Sequence, residues 1–158
     1  MTPESILSKQ PKILTEPQRK FFFLNGYLVL DGFMEQQLLN ELQVETIKFI
    51  EESRHLKNST KKFDFETGHS ANSPRLRRVT QPVKYNKVFW KTASNSLVTD
   101  IAEDLLGPDV MFHHSKLNFT WFSGGDEVKW HQDFPFWPHT NDSVLTIGIY
   151  LENVDHIM

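Results

Sequence analysis

The hydrophobic period changes once along this chain, and that change constrains the fold more than any other feature. Up to Gly107-Pro108 the apolar residues recur at helical spacing, and from Val110 onward they alternate. Met34, Leu38, Leu42, Phe49 and Ile50, with Glu, Gln and Lys between them, predict a long amphipathic helix over about Glu35–Glu52. Leu97, Ile101 and Leu105 line one face of another, from Ser94 to Leu106, stopped by Gly107-Pro108. Thr15-Glu16-Pro17-Gln18 reads as a capped helix start: a Thr cap, a Pro in the first turn and a Gln three after the cap. That short helix should stop at Gly26.

The alternating part reads as strands. "VMFHHSKLNFTWF" (Val110 to Phe122) sets Met111, Leu117, Phe119 and Trp121 on one face and His114, Lys116, Asn118 and Thr120 on the other. "VKWHQDF" (Val128 to Phe134) and "SVLTIGIYLENV" (Ser143 to Val154) are two further strands. Earlier, "YLVL" (Tyr27 to Leu30) is a compact strand closed by Asp31-Gly32. Residues 1–14 read as a loose arm, and Ser53 to Pro82 as basic, turn-rich loops with at most short strands. Helices first and consecutive strands later predict an α+β fold, one domain over residues 1–158, with an antiparallel sheet or barrel carrying any site.

Composition narrows the function. At 158 residues with 39% hydrophobic content and thirteen Phe, the chain is long and apolar enough to bury a core. A net charge of −3 gives no general attraction to nucleic acid or anionic membrane. No apolar run is long enough for a membrane span, and the N-terminus lacks the basic-then-apolar order of a signal peptide. The expected location is therefore cytoplasmic or organelle-internal. Without cysteine, any metal must be held by His, Asp or Glu.

The candidate for such a site is "WHQDFPFWPHTN", Trp130 to Asn141. In an extended strand, His131 and Asp133 project from one face, ~6.5 Å apart along the chain, close enough for an imidazole and a carboxylate to share one ion. Two His and a carboxylate on one side of an ion form the facial triad of non-heme Fe(II) oxygenases, whose open positions take a cosubstrate and O₂. Taken alone, His-x-Asp is a weak signal, and a satisfied hydrogen-bonded pair on a half-exposed strand is the better reading of it. Lys116 and Asn118, on one face of the neighbouring strand, offer a cation and an amide of the kind a dicarboxylate such as 2-oxoglutarate needs. Thr146, one strand further on, can add a hydroxyl. For these three, a solvated polar sheet face is the alternative.

Several segments together resemble the phytanoyl-CoA dioxygenase family of Fe(II)/2-oxoglutarate oxygenases. "NGYLVLDGF" (Asn25 to Phe33) is similar to its N-terminal signature, and "LLGPDVMFHHSKLNF" (Leu105 to Phe119) to the helix end and strand before the metal motif. "WHQDFPFWPHTN" resembles the metal-binding strand and "LTIGIYLENVD" (Leu145 to Asp155) the strand after it. The resemblance runs from about Asn25 to the end, with four segments in the right order. It implies a double-stranded β-helix (jelly roll, cupin-like), Fe(II), 2-oxoglutarate as cosubstrate, and a small organic substrate such as an acyl-CoA. By position it makes His131 and Asp133 metal ligands and sets Lys116 and Asn118 on the cosubstrate strand. Arg78, in "RLRRV", falls where some members have a basic residue near the cosubstrate, although a solvated basic patch with Arg75 and Arg77 is the plainer reading. Asp133 implies a hydroxylase, because related halogenases carry Gly or Ala there.

The family's distal His and its 2-oxoglutarate-clamping Arg have no match. After Asp133 come only His139 and His156, neither in the expected place, and no Arg follows Arg78. The expectation is thus an oxygenase fold incomplete at its C-terminal side, truncated before those residues. The alternative is an inactive relative that serves as a binding or interaction module. Substrate and oligomeric state are not legible in the residues.

Overall fold

The computed structural model describes residues 1–121, 129–133, 135, 141 and 143–154. Along the chain they form α1 (Pro3–Leu7), α2 (Glu16–Asn25), α3 (Gln36–Ser53), β1 (Phe63–Phe65), β2 (Leu76–Thr80), a 3-10 turn (Pro82–Lys84), α4 (Lys87–Ser94), α5 (Leu97–Leu106) and β3 (Lys116–Asn118). Helices with a small antiparallel sheet make this an α+β chain. The described residues divide into two compact units. One holds Met1–Gln36, Lys91–Phe112 and the residues from Asp133 onward; the other holds Gln37–Trp90 and His113–Gln132.

In the first unit, local signals set the helix ends. The Thr15 hydroxyl accepts from the Gln18 N–H while the Gln18 side chain accepts from the Thr15 N–H, so a capping box starts α2. Gly26 ends it at φ 80°, a left-handed conformation that costs a residue without Cβ nothing. Ser96 and Thr99 cap α5 in the same reciprocal way. Leu14, Ile101 and Leu105 form the core, with Phe22, Leu28, Leu30, Phe33, Leu145 and Ile147 packed against it.

The start of the chain is ordered, which its polar composition does not suggest. Two buried charged residues explain it. Asp104, 4% exposed, accepts from the backbone N–H groups of Lys12, Ile13 and Leu14 at 2.7, 2.9 and 2.8 Å. Arg19, 2% exposed, donates to the carbonyls of Asp104, Lys9 and Ile6. Each buried charge is thus neutralised by backbone dipoles, and together they clamp residues 6–14 onto α5. Ile6 and Leu14 are buried as a result.

In the second unit, α3 buries Leu42, Phe49 and Ser53. Phe49 joins Phe63, Leu76 and Val79 in the core, and Leu117, Phe119 and Trp121 pack on it. The three strands run β1-β2-β3, each pair antiparallel. A bulge beside Asp64/Phe65 sets Phe65 opposite Leu76 and Asp64 opposite Arg78, so Leu76 and Val79, three apart, both reach the core. The polar loop between the strands is pinned by His69. Its ring stacks flat on Phe65 (3.8 Å between centroids, 1° between planes), and its Nδ1 accepts from the Arg75 N–H at 3.0 Å. The remaining ring N–H therefore lies on Nε2 and points to the carbonyls of Ser53 and Leu56 at the end of α3.

The alternation after Val110 gives fewer ladders than its length suggests. Among the described residues of Val110–Phe122 only Lys116–Asn118 is laddered, and Met111, assigned to the core face, is 87% exposed. Tyr27–Leu30 and, within the expected Ser143–Val154 strand, residues 144–151 keep alternating burial without a ladder among the described residues, and residues 129–133 are unladdered too. One helix, α4, falls where periodicity gave none, and the helix expected from Ser94 begins three residues later.

Candidate active site

The solvent-facing side of the β1-β2-β3 sheet carries the predicted polar cluster. Val79 and Leu117 pair across β2 and β3 on the core side, so their neighbours Arg78, Asn118, Thr80 and Lys116 take the other side. Arg78 lies directly opposite Asn118, and Thr80 opposite Lys116. The Arg78 Nε donates to Asn118 Oδ1 at 3.0 Å. The two Nη groups of Arg78 and the Nδ2 of Asn118 donate to no described residue. A guanidinium fork and an amide, already oriented to one another, form a donor set matched to a carboxylate.

Two features hold this face in place. The Trp121 indole N–H donates to the Leu76 carbonyl at 2.8 Å, and the Phe119 N–H to the Arg77 carbonyl at 3.0 Å, so pairing continues past the end of β3. At the other end Gln81 adopts φ 56°, ψ 52°, and its N–H donates to the Ser115 carbonyl at 3.0 Å. A left-handed non-glycine residue costs on the order of 1 kcal/mol. That strain turns the chain sharply out of β2 beside Lys116. Next to it the Nδ1 atoms of His113 and His114 are 2.6 Å apart, one ring donating to the other.

His131 belongs to the same unit and is exposed. Its Nδ1 lies 2.7 Å from the Lys129 carbonyl. A carbonyl only accepts, so Nδ1 carries the proton and Nε2 the lone pair of the neutral ring. Metal-ligating histidines are commonly fixed this way, with one nitrogen donating to a backbone carbonyl and the other presented to the ion. Asp133, half-buried, and Thr146, exposed, belong to the other unit. Among the described residues no three His, Asp or Glu side chains are grouped as a metal would require. His139 and His156 lie outside the described residues, as do Phe134, Phe136 and Trp137.

Arg78 is marked in the sequence only by its place in "RLRRV", and its pairing with Asn118 is not marked at all. The β2–β3 register joins residues forty apart, and nothing local to either residue announces it. Arg77 takes a separate role, 3.7 Å from the Asp64 carboxylate, and Arg75 pairs with buried Glu66 at 2.8 Å.

A family model described as phytanoyl-CoA dioxygenase (PhyH) matches residues 22–156. A probable alpha-ketoglutarate-dependent hypophosphite dioxygenase of Stutzerimonas stutzeri is 31% identical over 141 residues, which cover 89% of this chain and 48% of that protein. An ectoine dioxygenase of Sphingopyxis alaskensis is 27% identical over 145 residues, covering 88% and 45%. Another, from Streptomyces coelicolor, is 27% identical over 137 residues, covering 83% and 44%. The chain thus spans about half the length of the curated relatives it matches. Since the family model extends over most of its residues, the chain belongs to the phytanoyl-CoA dioxygenase (PhyH) family.

Proposed function

We propose that this chain carries the cosubstrate-binding face and two metal ligands of an Fe(II)/2-oxoglutarate-dependent dioxygenase that hydroxylates a small organic molecule. The observation that carries the reading is the Arg78–Asn118 pair, a carboxylate-matched donor set on the strand that also bears Lys116. His131, with Nδ1–H held by the Lys129 carbonyl, and Asp133 are the ligands, a nitrogen and oxygen set suited to Fe(II). Arg78, Asn118 and Lys116 receive the dicarboxylate. When bound, iron supplies the oxidative chemistry: 2-oxoglutarate and O₂ become succinate and CO₂, and one oxygen atom enters a C–H bond of the substrate. The protein residues orient the dicarboxylate and neutralise its charge.

Two protein ligands hold iron weakly, and a facial site of this kind takes a third, which the sequence pattern does not assign; the fold that carries the site is a jelly roll. The grouping of fewer than three ligands among the described residues favours a second reading, a catalytically inactive relative that binds a dicarboxylate without turning it over. Anaerobic titration with Fe(II) and 2-oxoglutarate separates the two. A visible charge-transfer band that His131→Ala removes supports the metal reading, and dicarboxylate binding without iron uptake supports the inactive one. Succinate release by the 158-residue chain then reports whether these residues suffice for turnover; its absence with the band present places the missing groups outside them.

A further inference from the structure

His69 sits in the turn between β1 and β2, and the chemistry proposed above makes no use of it. The half-buried ring stacks on Phe65, its Nδ1 accepts from the Arg75 N–H at 3.0 Å, and its Nε2–H points to the Ser53 and Leu56 carbonyls at 3.1 and 3.2 Å. Two backbone bonds close the same turn. The Glu66 N–H donates to the Arg75 carbonyl at 2.9 Å, and the His69 N–H to the Glu66 carbonyl at 3.3 Å. The charged groups around the ring are paired with one another. Buried Glu66 takes Arg75 at 2.8 Å, Arg54, just past α3, pairs with Glu51 and donates to the Ala71 carbonyl at 2.6 Å, and Lys62, just before β1, pairs with Glu52. His55, exposed, is the other imidazole at that end of α3.

The bulge in β2 begins where this ring takes hold. Phe65 pairs with Leu76 and Asp64 with Arg78, so Arg77 is the extra residue. It lets Leu76 and Val79 both reach the core while Arg78 takes the far side, opposite Asn118. Without the extra residue, strict alternation would put Arg78 on the same side as Leu76. The ring grips Phe65 on one strand and the Arg75 N–H on the other, and so fixes both strands at the bulge. A neutral imidazole fits this place, with one acceptor and one donor. An imidazolium does not, because both ring nitrogens are then donors and Nδ1–H would meet the Arg75 N–H. We infer that His69 is a positioning residue for Arg78: its neutral ring latches the β1–β2 turn and keeps the bulge in register, and a second proton on the ring releases both. The consequence for the dicarboxylate rests on the cosubstrate reading of Arg78 and Asn118, whereas the latch itself does not.

Amide hydrogen exchange and calorimetry on the 158-residue chain test it. Histidine changes charge in the mildly acidic range, so a ring that takes its second proton only in the open turn makes opening about tenfold easier at about pH 5.5 than at about pH 7.5. Protection of the Glu66 and Arg75 amides, corrected for intrinsic exchange, should fall by that factor while the amides of α5 keep theirs. His69→Gln offers one donor and one acceptor and takes no proton. It should keep the protection at neutral pH and lose its pH dependence, whereas His69→Ala should lose the protection at both. Affinity for 2-oxoglutarate at neutral pH should drop about tenfold in His69→Ala, as in Arg78→Lys, and stay within about threefold of the parent in His69→Gln. The same acid loss in His69→Gln as in the parent overturns the inference, as does an acid loss shared equally by α5. Full affinity in His69→Ala beside a weakened Arg78→Lys overturns the positioning role. If Arg78→Lys also binds normally, the cosubstrate reading is what fails, and the exchange data alone decide the latch.

Discussion

Arg78 and Asn118 face each other across the β2–β3 ladder, and the Arg78 Nε donates to Asn118 Oδ1 at 3.0 Å. The contact fixes the plane of the guanidinium while leaving its Nη fork without an acceptor among the described residues. The pair therefore makes a sharp prediction about the dicarboxylate. Asn118→Asp replaces an amide with a carboxylate that pairs with Arg78 and repels 2-oxoglutarate. Arg78→Lys keeps the charge but cannot bond Asn118 and chelate a carboxylate together. By calorimetry, Arg78→Lys should weaken 2-oxoglutarate binding about tenfold, roughly 1.4 kcal/mol, and Asn118→Asp by more. Unfolding midpoints should barely move, because both residues lie on the solvent side of the sheet. Unchanged affinity in both variants removes this face from the cosubstrate site.

How much of this was legible in the sequence depends on the range of the signal. The ends of α2 were legible because Thr15, Gln18 and Gly26 act within one helical turn. The long helix was legible because Leu42 and Phe49 keep one periodic face, and the core side of β3 because Leu117, Phe119 and Trp121 alternate. The order of residues 1–14 was not, since it comes from Asp104 and Arg19, whose partners lie up to ninety-two positions away. The strands assigned to 27–30 and 143–154 were legible as alternation, but alternation reports which side is buried and is silent about whether a neighbour is there to pair. For the candidate site, His131 and Asp133 were singled out by spacing. The tautomer-setting contact to Lys129 needed coordinates.

The Asp104 clamp predicts a large cost for a small change. Asp104→Ala strands three N–H groups, that of Leu14 buried and those of Lys12 and Ile13 part-buried. Asp104→Asn is little better, because its NH₂ would face a donor. Leaving buried donors unsatisfied costs about 1–3 kcal/mol per group, partly relieved by fraying of the arm, so a net loss of about 3 kcal/mol is expected in urea titration. Limited proteolysis should then cut within the first 14 residues before anywhere else. A loss below about 1 kcal/mol would mean that the arm is not part of the folded core.

Lys62 separates two kinds of charge interaction. Its Nζ lies 4.8, 4.7 and 4.9 Å from the ring centroids of Phe49, Phe63 and Tyr85, and 2.5 Å from the Glu52 carboxylate. The lysine side chain is 18% exposed and the glutamate 52%, so the ion pair is screened while the aromatic contacts are largely dry. Lys62→Met keeps the packed stem and removes the cation, at a cost of about 1–2 kcal/mol. Glu52→Gln should cost less than about 0.5 kcal/mol. If the two variants lose equal stability by thermal melting, the ion pair and not the aromatic cage holds Lys62.

The pH profile of stability should fall at both ends, for identifiable reasons. Hydrogen bonds to Glu103 and then Asp100 raise the Lys12 ammonium above its usual range. Its stabilising contribution is therefore complete below the unfolded value of about 10.4 and is lost as pH climbs through the higher folded value. The carboxylates work in the opposite sense. Lys20 holds Glu16 below the usual carboxylate range, and Lys48, helped by Asn86, does the same for Glu45. Their contributions are complete above the unfolded value of about 4.3 and disappear as pH falls through the lowered folded values. Urea midpoints measured against pH should accordingly form a plateau through neutrality. Lys12→Met should lower that plateau slightly and flatten the alkaline fall, leaving the acid limb unchanged. Lys48→Met should soften the acid limb without abolishing it, since Asn86 still donates to Glu45 at 2.6 Å. An alkaline limb identical in Lys12→Met and the parent chain would show that the Lys12 pairs with Asp100 and Glu103 contribute nothing to folding.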